Sequence, residues 1–124
     1  MSRFLAFSLL AILAACGSKF DGKPPGAEKS GKLPAVLTRD EAMKLASLGN
    51  CVSCHKMDDR LAGPGWREVG VRYGSDSKAA PLISSHIREG GTFGWNMGYM
   101  PARGGGALTD SQIDALAQYI ATLH

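Results

Sequence analysis

A chain of 124 residues, 44% of them hydrophobic, is long enough for one small folded domain. Its formal charge of +3 comes from the first 37 residues, because the nine basic and nine acidic side chains that follow cancel each other. The charge therefore argues against nucleic-acid binding, which needs a basic face on the folded part of the chain, and no nucleic-acid partner is expected.

The N-terminus has the layout of a secretory signal peptide. Arg3 gives it a positive start, and the apolar run that follows over residues 4–13 is too short to span a bilayer. The segment LAAC that ends at Cys16 resembles the lipobox of bacterial lipoproteins, in which the cysteine is lipidated. We expect residues 1–15 to be a lipoprotein signal peptide and Cys16 to carry lipid. An ordinary signal peptide with a chance cysteine is the alternative.

Residues 16–37 are predicted to be a lipid-anchored flexible tether. They are rich in glycine, proline and lysine and have too few apolar side chains to bury a core. About 20 residues of this kind reach roughly 25 Å from the membrane. The domain at 38–124 is therefore expected to face the periplasm. The residue after the cysteine is Gly17 and not aspartate, which favours sorting of the lipoprotein to the outer membrane.

The first three predicted helices occupy the first half of this domain. Thr38 and Glu41 form a capping box that begins the first helix, and Gly49 ends it. Weaker apolar patterns predict the second and third helices over residues 66–73 and 81–89.

A long loop and a strong amphipathic helix complete the domain. Residues 90–106 contain seven glycines and no periodic pattern, which predicts a loop. Thr109 and Gln112 form a second capping box, and apolar residues then recur at helical spacing to about residue 123. Four short helices make a thin core for a domain of this size, and a large apolar cofactor would fill it.

The motif that carries chemistry is Cys51-Val52-Ser53-Cys54-His55, the C-x-x-C-H signature of covalent haem attachment. Two thiols at this spacing bond to the two vinyl groups of haem, and the adjacent His55 supplies an imidazole nitrogen to the iron. A thioredoxin-like pair would need a βαβ context, and a structural zinc site would need a fourth ligand. A simple disulfide would leave His55 unexplained. The sequence therefore predicts one covalent haem c.

An electron-carrying haem of this kind needs a second axial ligand. The candidates are Met57, Met97, Met100, His86 and His124. Met57 is too near His55 to reach the other face of the haem, and His124 is terminal. Met100 is favoured because it lies in the glycine-rich loop and Pro101 stiffens the backbone after it.

Residues 38–123 resemble the single-haem bacterial cytochromes c of the c-551/c-552 type, a class I family. The matching residues are the C-x-x-C-H motif, Leu61-Ala62-Gly63-Pro64, Trp66, Val69, Tyr73, Ile87-Arg88-Glu89-Gly90, Trp95, Met100-Pro101 and the last helix. The resemblance implies an all-α fold, with about four short helices wrapped around the haem and the first and last helices crossing. Asn50 stands where relatives often have glycine.

The resemblance also implies roles for individual residues. Met100 would be the axial thioether ligand, the carbonyl of Pro64 would accept a hydrogen bond from His55, and Trp95 would donate to a haem propionate. Trp66 would pack against the haem or its helices. A redox donor and acceptor would dock transiently on a surface that we call the haem-edge patch, formed by Leu61, Ala62, Met97, Tyr99 and Pro101.

These features predict a monomeric single-electron carrier that is not an enzyme. A haem-based gas binder, in which Met100 is displaced, is the alternative. A small peroxidase would need distal acid–base groups, and the loop at 90–106 contains Arg103 as its only charged residue. A lipoprotein without cofactor would fold colourless.

Overall fold

The computed structural model describes residues 35–124, which fold into four α-helices joined by loops. These are α1 (Arg39–Leu48), α2 (Trp66–Tyr73), α3 (Ala79–Glu89) and α4 (Asp110–Ala121), with short 3-10 turns at Cys51–Ser53 and Ala102–Gly105. Within the described part of the chain, β pairing is limited to two isolated bridges, His55 with Arg60 and Gly91 with Met100. The prediction of an all-α fold with four short helices is confirmed.

Local side-chain chemistry sets where the helices begin. The Glu41 N–H donates to the Thr38 hydroxyl at 3.3 Å, and the Thr38 N–H donates back to the Glu41 carboxylate at 2.8 Å. Thr109 and Gln112 make the same reciprocal pair at the start of α4, as predicted. At α2, where no capping residue was predicted, the Gly65 N–H donates to the Glu68 carboxylate at 3.3 Å.

Two helix ends differ from the sequence prediction. α3 begins at Ala79 rather than at residue 81. Pro81 therefore lies in the first turn, where helix N–H groups have no intrahelical partner and a proline is tolerated. α4 ends at Ala121 rather than near residue 123. There the Thr122 hydroxyl donates to the Tyr119 carbonyl at 2.7 Å, so a side chain satisfies one of the carbonyls in the last turn of the helix.

The core forms around α4, which packs against each of the other three helices. Its predicted apolar face is buried, and α1 contributes a second buried face; the buried residues of the two helices include Ala42, Leu45, Ala46, Ile113, Leu116, Ala117 and Ile120. A Cβ on Gly70 would lie 2.6 Å from the Leu123 carbonyl oxygen, so glycine lets α2 lie directly against the end of α4.

No helix within residues 35–124 has both the length and the apolar character that crossing a bilayer requires. The predicted signal peptide, the lipidation site at Cys16 and most of the tether lie outside the described residues.

Candidate haem site

Residues predicted to act together converge on one cavity. Its walls come from the 50–64 segment, α2, α3, the 91–104 loop and α4. The cavity is lined by Cys51, Cys54, His55, Pro64, Trp95, Met97 and Met100, together with the apolar side chains of Trp66, Val69, Ile83, Ile87, Leu116 and Ile120. Parts of the chain that are distant in sequence therefore meet at a single, mostly apolar site.

A tight turn presents the two thiols. The N–H groups of Cys54 and His55 donate to the Cys51 carbonyl at 3.1 and 2.9 Å, which closes the turn around the motif. Asn50 precedes it in the left-handed region, with φ 57° and ψ 17°. Asparagine is among the few residues with a side chain that adopt this conformation readily, so it can precede the motif at little cost in strain. Both thiols are free and half-buried.

Burial also sets the chemistry of the first thiol. The apolar surroundings of Cys51 raise the pKa of its thiol above the ordinary value. A thiol that remains protonated is a poor partner for disulfide exchange, which needs the thiolate. The surroundings of Cys51 thus disfavour the thiolate on which thioredoxin-like exchange depends.

The imidazole of His55 is fixed in one orientation. Its Nδ1 lies 2.8 Å from the Pro64 carbonyl oxygen, and since a carbonyl only accepts, Nδ1 must carry the proton. In a neutral imidazole with this tautomer, Nε2 has the lone pair that a metal ligand requires. The Gly63 N–H donates to the Cys54 carbonyl at 2.8 Å, which closes the loop under the ring. A Cβ on Gly63 would lie 2.5 Å from His55 Cε1, so only glycine fits there.

Met100 is held through its backbone. Its N–H donates to the Gly91 carbonyl and its carbonyl accepts from the Gly91 N–H, both at 2.9 Å. Gly90 and Gly91 have positive φ angles, which lets the chain leave α3 and turn back beside Met100. The half-buried Met100 side chain lines the cavity.

Of the other four candidate ligands, two line the cavity and two lie outside it. Met57 is buried in the core and does not line the cavity, and the His124 ring lies by the Ala121 carbonyl, outside it. Met97 and His86 do line the cavity. His86 stacks on Phe93 with 3.8 Å between ring centroids, and burial lowers the pKa of its imidazole.

Two residues near the cavity were not predicted to matter. Phe93 lines the cavity from a left-handed backbone position, and the Arg72 guanidinium lies 4.4 Å from the ring centre of Trp95. His86 was considered only as a ligand, yet it adds an imidazole to a cavity whose loop wall, in the described part of the chain, has no histidine, carboxylate, lysine or arginine side chain. These neighbours come from different helices and loops, and no local sequence signal marks them.

The haem-edge patch is mostly exposed. Tyr99 is 70% exposed and Leu61 49% exposed, Ala62 and Pro101 are exposed, and Met97 is half-buried. All except Leu61 also line the cavity, so the patch and the cavity share a rim.

The donor set fits covalent haem. Two free thiols with two residues between them, an imidazole with Nε2 available and a thioether face an apolar cavity, and these are the groups that hold haem c in proteins. Within residues 35–124, no group of three or more histidine, cysteine, aspartate or glutamate side chains is placed to hold a metal ion.

Comparison with known proteins gives one consistent result. A model of the cytochrome c family matches residues 39–124. Cytochrome c-552 of Nitrosomonas europaea is 29% identical over 79 residues, which cover 64% of this chain and 75% of that protein. Cytochrome c-551 of Pseudomonas denitrificans is 32% identical over 73 residues, which cover 59% and 85%. The crystal structure of wild-type Nitrosomonas europaea cytochrome c552 superposes with a TM-score of 0.60 at 28% identity, over 66% of this chain and 99% of that one.

Proposed function

The chain belongs to the cytochrome c family, in which electrons are transferred by covalent haem c, and we propose that it is a single-electron carrier with His55 and Met100 as axial iron ligands. It is a class I monohaem cytochrome, and its cofactor is one haem c held by Cys51 and Cys54. The observation that supports the finer proposal is that both thiols, Met100 and His55 converge on one apolar cavity, with Nδ1 of His55 hydrogen-bonded to Pro64.

The chain's own residues would hold the haem, orient its histidine ligand and exclude water. Cys51 and Cys54 would hold the haem through thioether bonds, and Pro64 would keep His55 in the tautomer that binds iron. The apolar walls would exclude water. When bound, the haem supplies a reversible Fe(III)/Fe(II) couple, and thioether ligation raises its potential relative to two histidines.

Two features favour an electron carrier, the first over the gas binder and the second over a peroxidase. The backbone of Met100 is fixed at both of its hydrogen-bonding groups by Gly91, which favours permanent rather than displaceable ligation. Neither carboxylates nor lysine or arginine side chains are among the described residues that line the cavity, so the histidine available there as an acid–base partner for bound peroxide, besides the proposed ligand His55, is His86. The stacking of His86 on Phe93 supports a packing role instead.

We further propose that redox partners dock on the haem-edge patch, where the cavity opens beside exposed apolar side chains. A small patch suits transient redox encounters, and the protein would act as a monomer. Lipidation of Cys16 would hold it at the periplasmic face of a membrane, the outer one in a bacterium with two. A Cys16→Ser variant should then leave the membrane fraction, and its retention there would contradict the anchor.

The decisive experiment compares Met100→Ala with the matched variant Met97→Ala, which removes the same side chain from the same cavity. In protein produced with haem-attachment machinery, the mass should include one haem. Met100→Ala should change the visible spectrum, lower the potential and allow rapid carbon monoxide binding to reduced protein, while Met97→Ala should keep all three properties near wild type. Unchanged spectra for Met100→Ala would remove it as ligand, and rapid carbon monoxide binding to the wild type would favour the gas binder.

A further inference from the structure

The loop after Met100 contains an arginine in an unfavourable backbone conformation. Arg103 has φ 56° and ψ 23°, in the left-handed region that residues with a Cβ avoid. A residue persists there when its surroundings hold it in place, so the contacts of this side chain indicate what the conformation serves.

The Arg103 guanidinium ties the loop to the start of α4. It donates to the Leu108 carbonyl at 3.0 Å and to the Asp110 carboxylate at 2.6 Å. Asp110 also pairs with Arg88 of α3 at 3.5 Å. Arg88 in turn binds Asp114 of α4 at 2.6 Å. The far end of the arginine is thus anchored in an ion-pair network that joins α3 and α4.

One tight turn connects Arg103 to the methionine, and a second turn follows Arg103. The Gly104 N–H donates to the Pro101 carbonyl at 3.1 Å, which closes the first turn, and the Gly106 N–H donates to the Arg103 carbonyl at 3.0 Å, which closes the second. Met100 itself is paired with Gly91 at the end of α3. The methionine therefore has a fixed point on each side, Gly91 before it and Arg103 after it.

We propose that Arg103 is a positioning residue that keeps Met100 on the haem iron by strapping its loop to Asp110. The inference rests on the proposed function, in which Met100 is an axial ligand. Loss of the strap would let the loop relax from its left-handed conformation, and the methionine would leave the iron more often. Any ligand that must displace Met100 would then bind more tightly, in proportion to the larger open fraction.

Imidazole binding to the ferric holoprotein measures this open fraction. Arg103→Gln should bind imidazole about three- to tenfold more tightly than wild type, since a charge-assisted hydrogen bond between partly exposed groups is lost. Arg67→Gln is the matched control. It removes an equally direct pair, with Asp58 at 2.7 Å, whose side chains are 53% and 56% exposed and which belongs to neither the loop nor α4. Its imidazole affinity should stay at the wild-type value.

Three further variants separate the explanations. Arg103→Gly relieves the left-handed strain and removes the strap, so tighter imidazole binding supports the strap and weaker binding overturns it. Asp110→Asn should also bind more tightly, and adding Arg103→Gln to it should give little further change. Met100→Ala tests the premise. If Met100→Ala binds imidazole more tightly while Arg103→Gln and Asp110→Asn match wild type, only the positioning role of Arg103 is wrong. If Met100→Ala binds imidazole no more tightly than wild type, the assignment of Met100 as ligand fails.

Discussion

Substituting alanine for Gly63 tests whether the Gly63 backbone lies as close to the His55 ring as the structure places it. The new Cβ would lie 2.5 Å from His55 Cε1 and 2.9 Å from Nδ1, whereas comfortable contacts begin near 3.4 Å. The two groups must therefore separate by about 0.9 Å. The ring is held by the Pro64 carbonyl on one side and by its own short turn on the other, so the movement strains or breaks that hydrogen bond. Overpacking of about 1–3 kcal/mol and a lost hydrogen bond of about 1 kcal/mol lower the free energy of unfolding by roughly 2–4 kcal/mol.

Urea unfolding of the haem-loaded protein, followed by circular dichroism, measures this loss, and the reduction potential reports the altered imidazole. Gly98→Ala is the control, because a Cβ there meets only the Ala62 carbonyl oxygen, at 3.9 Å. That variant should stay within about 1 kcal/mol of wild type. If Gly63→Ala were equally stable and kept the wild-type potential, the packing argument for His55 would be refuted.

Three other predictions follow from described contacts. Asn50→Gly should preserve the free energy of unfolding and Asn50→Val should lower it by about 1–2 kcal/mol, because valine avoids the left-handed conformation; equal values from chemical denaturation would contradict this. The pKa of Asp114 is lowered by hydrogen bonds from Ser84 and then Arg88, so its stabilising contribution is full above about pH 4 and is lost as pH falls through the lower folded-state value. Urea midpoints between about pH 2 and 5 should fall less steeply for Asp114→Asn than for wild type, and identical slopes would count against the linkage. Since the domain is formally neutral, the association rate with a redox partner should change little with added salt, and a steep fall would argue for a charged docking surface.

Local signals made much of this molecule predictable. The capping boxes at Thr38 and Thr109 need residues only three positions apart, so the sequence marks both helix starts correctly. The attachment motif is equally local, and the same turn that closes around it presents both thiols and His55. The role of Pro64 came from the resemblance, whereas Met100 was favoured both by its loop position before Pro101 and by the resemblance. The structure places both beside the same cavity, although their roles remain predictions.

What sequence reasoning missed depends on contacts between distant segments. The pairing of Gly91 with Met100 joins the end of α3 to a loop that appeared unstructured because it lacked periodicity. The left-handed Arg103 and its bond to Asp110 depend on how the loop folds back on the start of α4, which no local sequence pattern shows. His86 enters the cavity for the same reason, since its helix position says nothing about which neighbour it faces. A single sequence without tertiary contacts cannot supply these pairings.

The order of the proposed haem-binding residues along the chain bears on how the protein matures. The two haem-binding cysteines, the proposed ligand His55 and its hydrogen-bond partner Pro64 all lie between residues 51 and 64, in one short stretch closed by its own hydrogen bonds. Met100 comes 45 residues after His55 and reaches the cavity only when α3 has returned the chain. Under the proposed function, the polypeptide could therefore be loaded with its cofactor while still largely unfolded. Arrival of the Met100 thioether would then mark completion, and its spectral signature would time the last step of assembly.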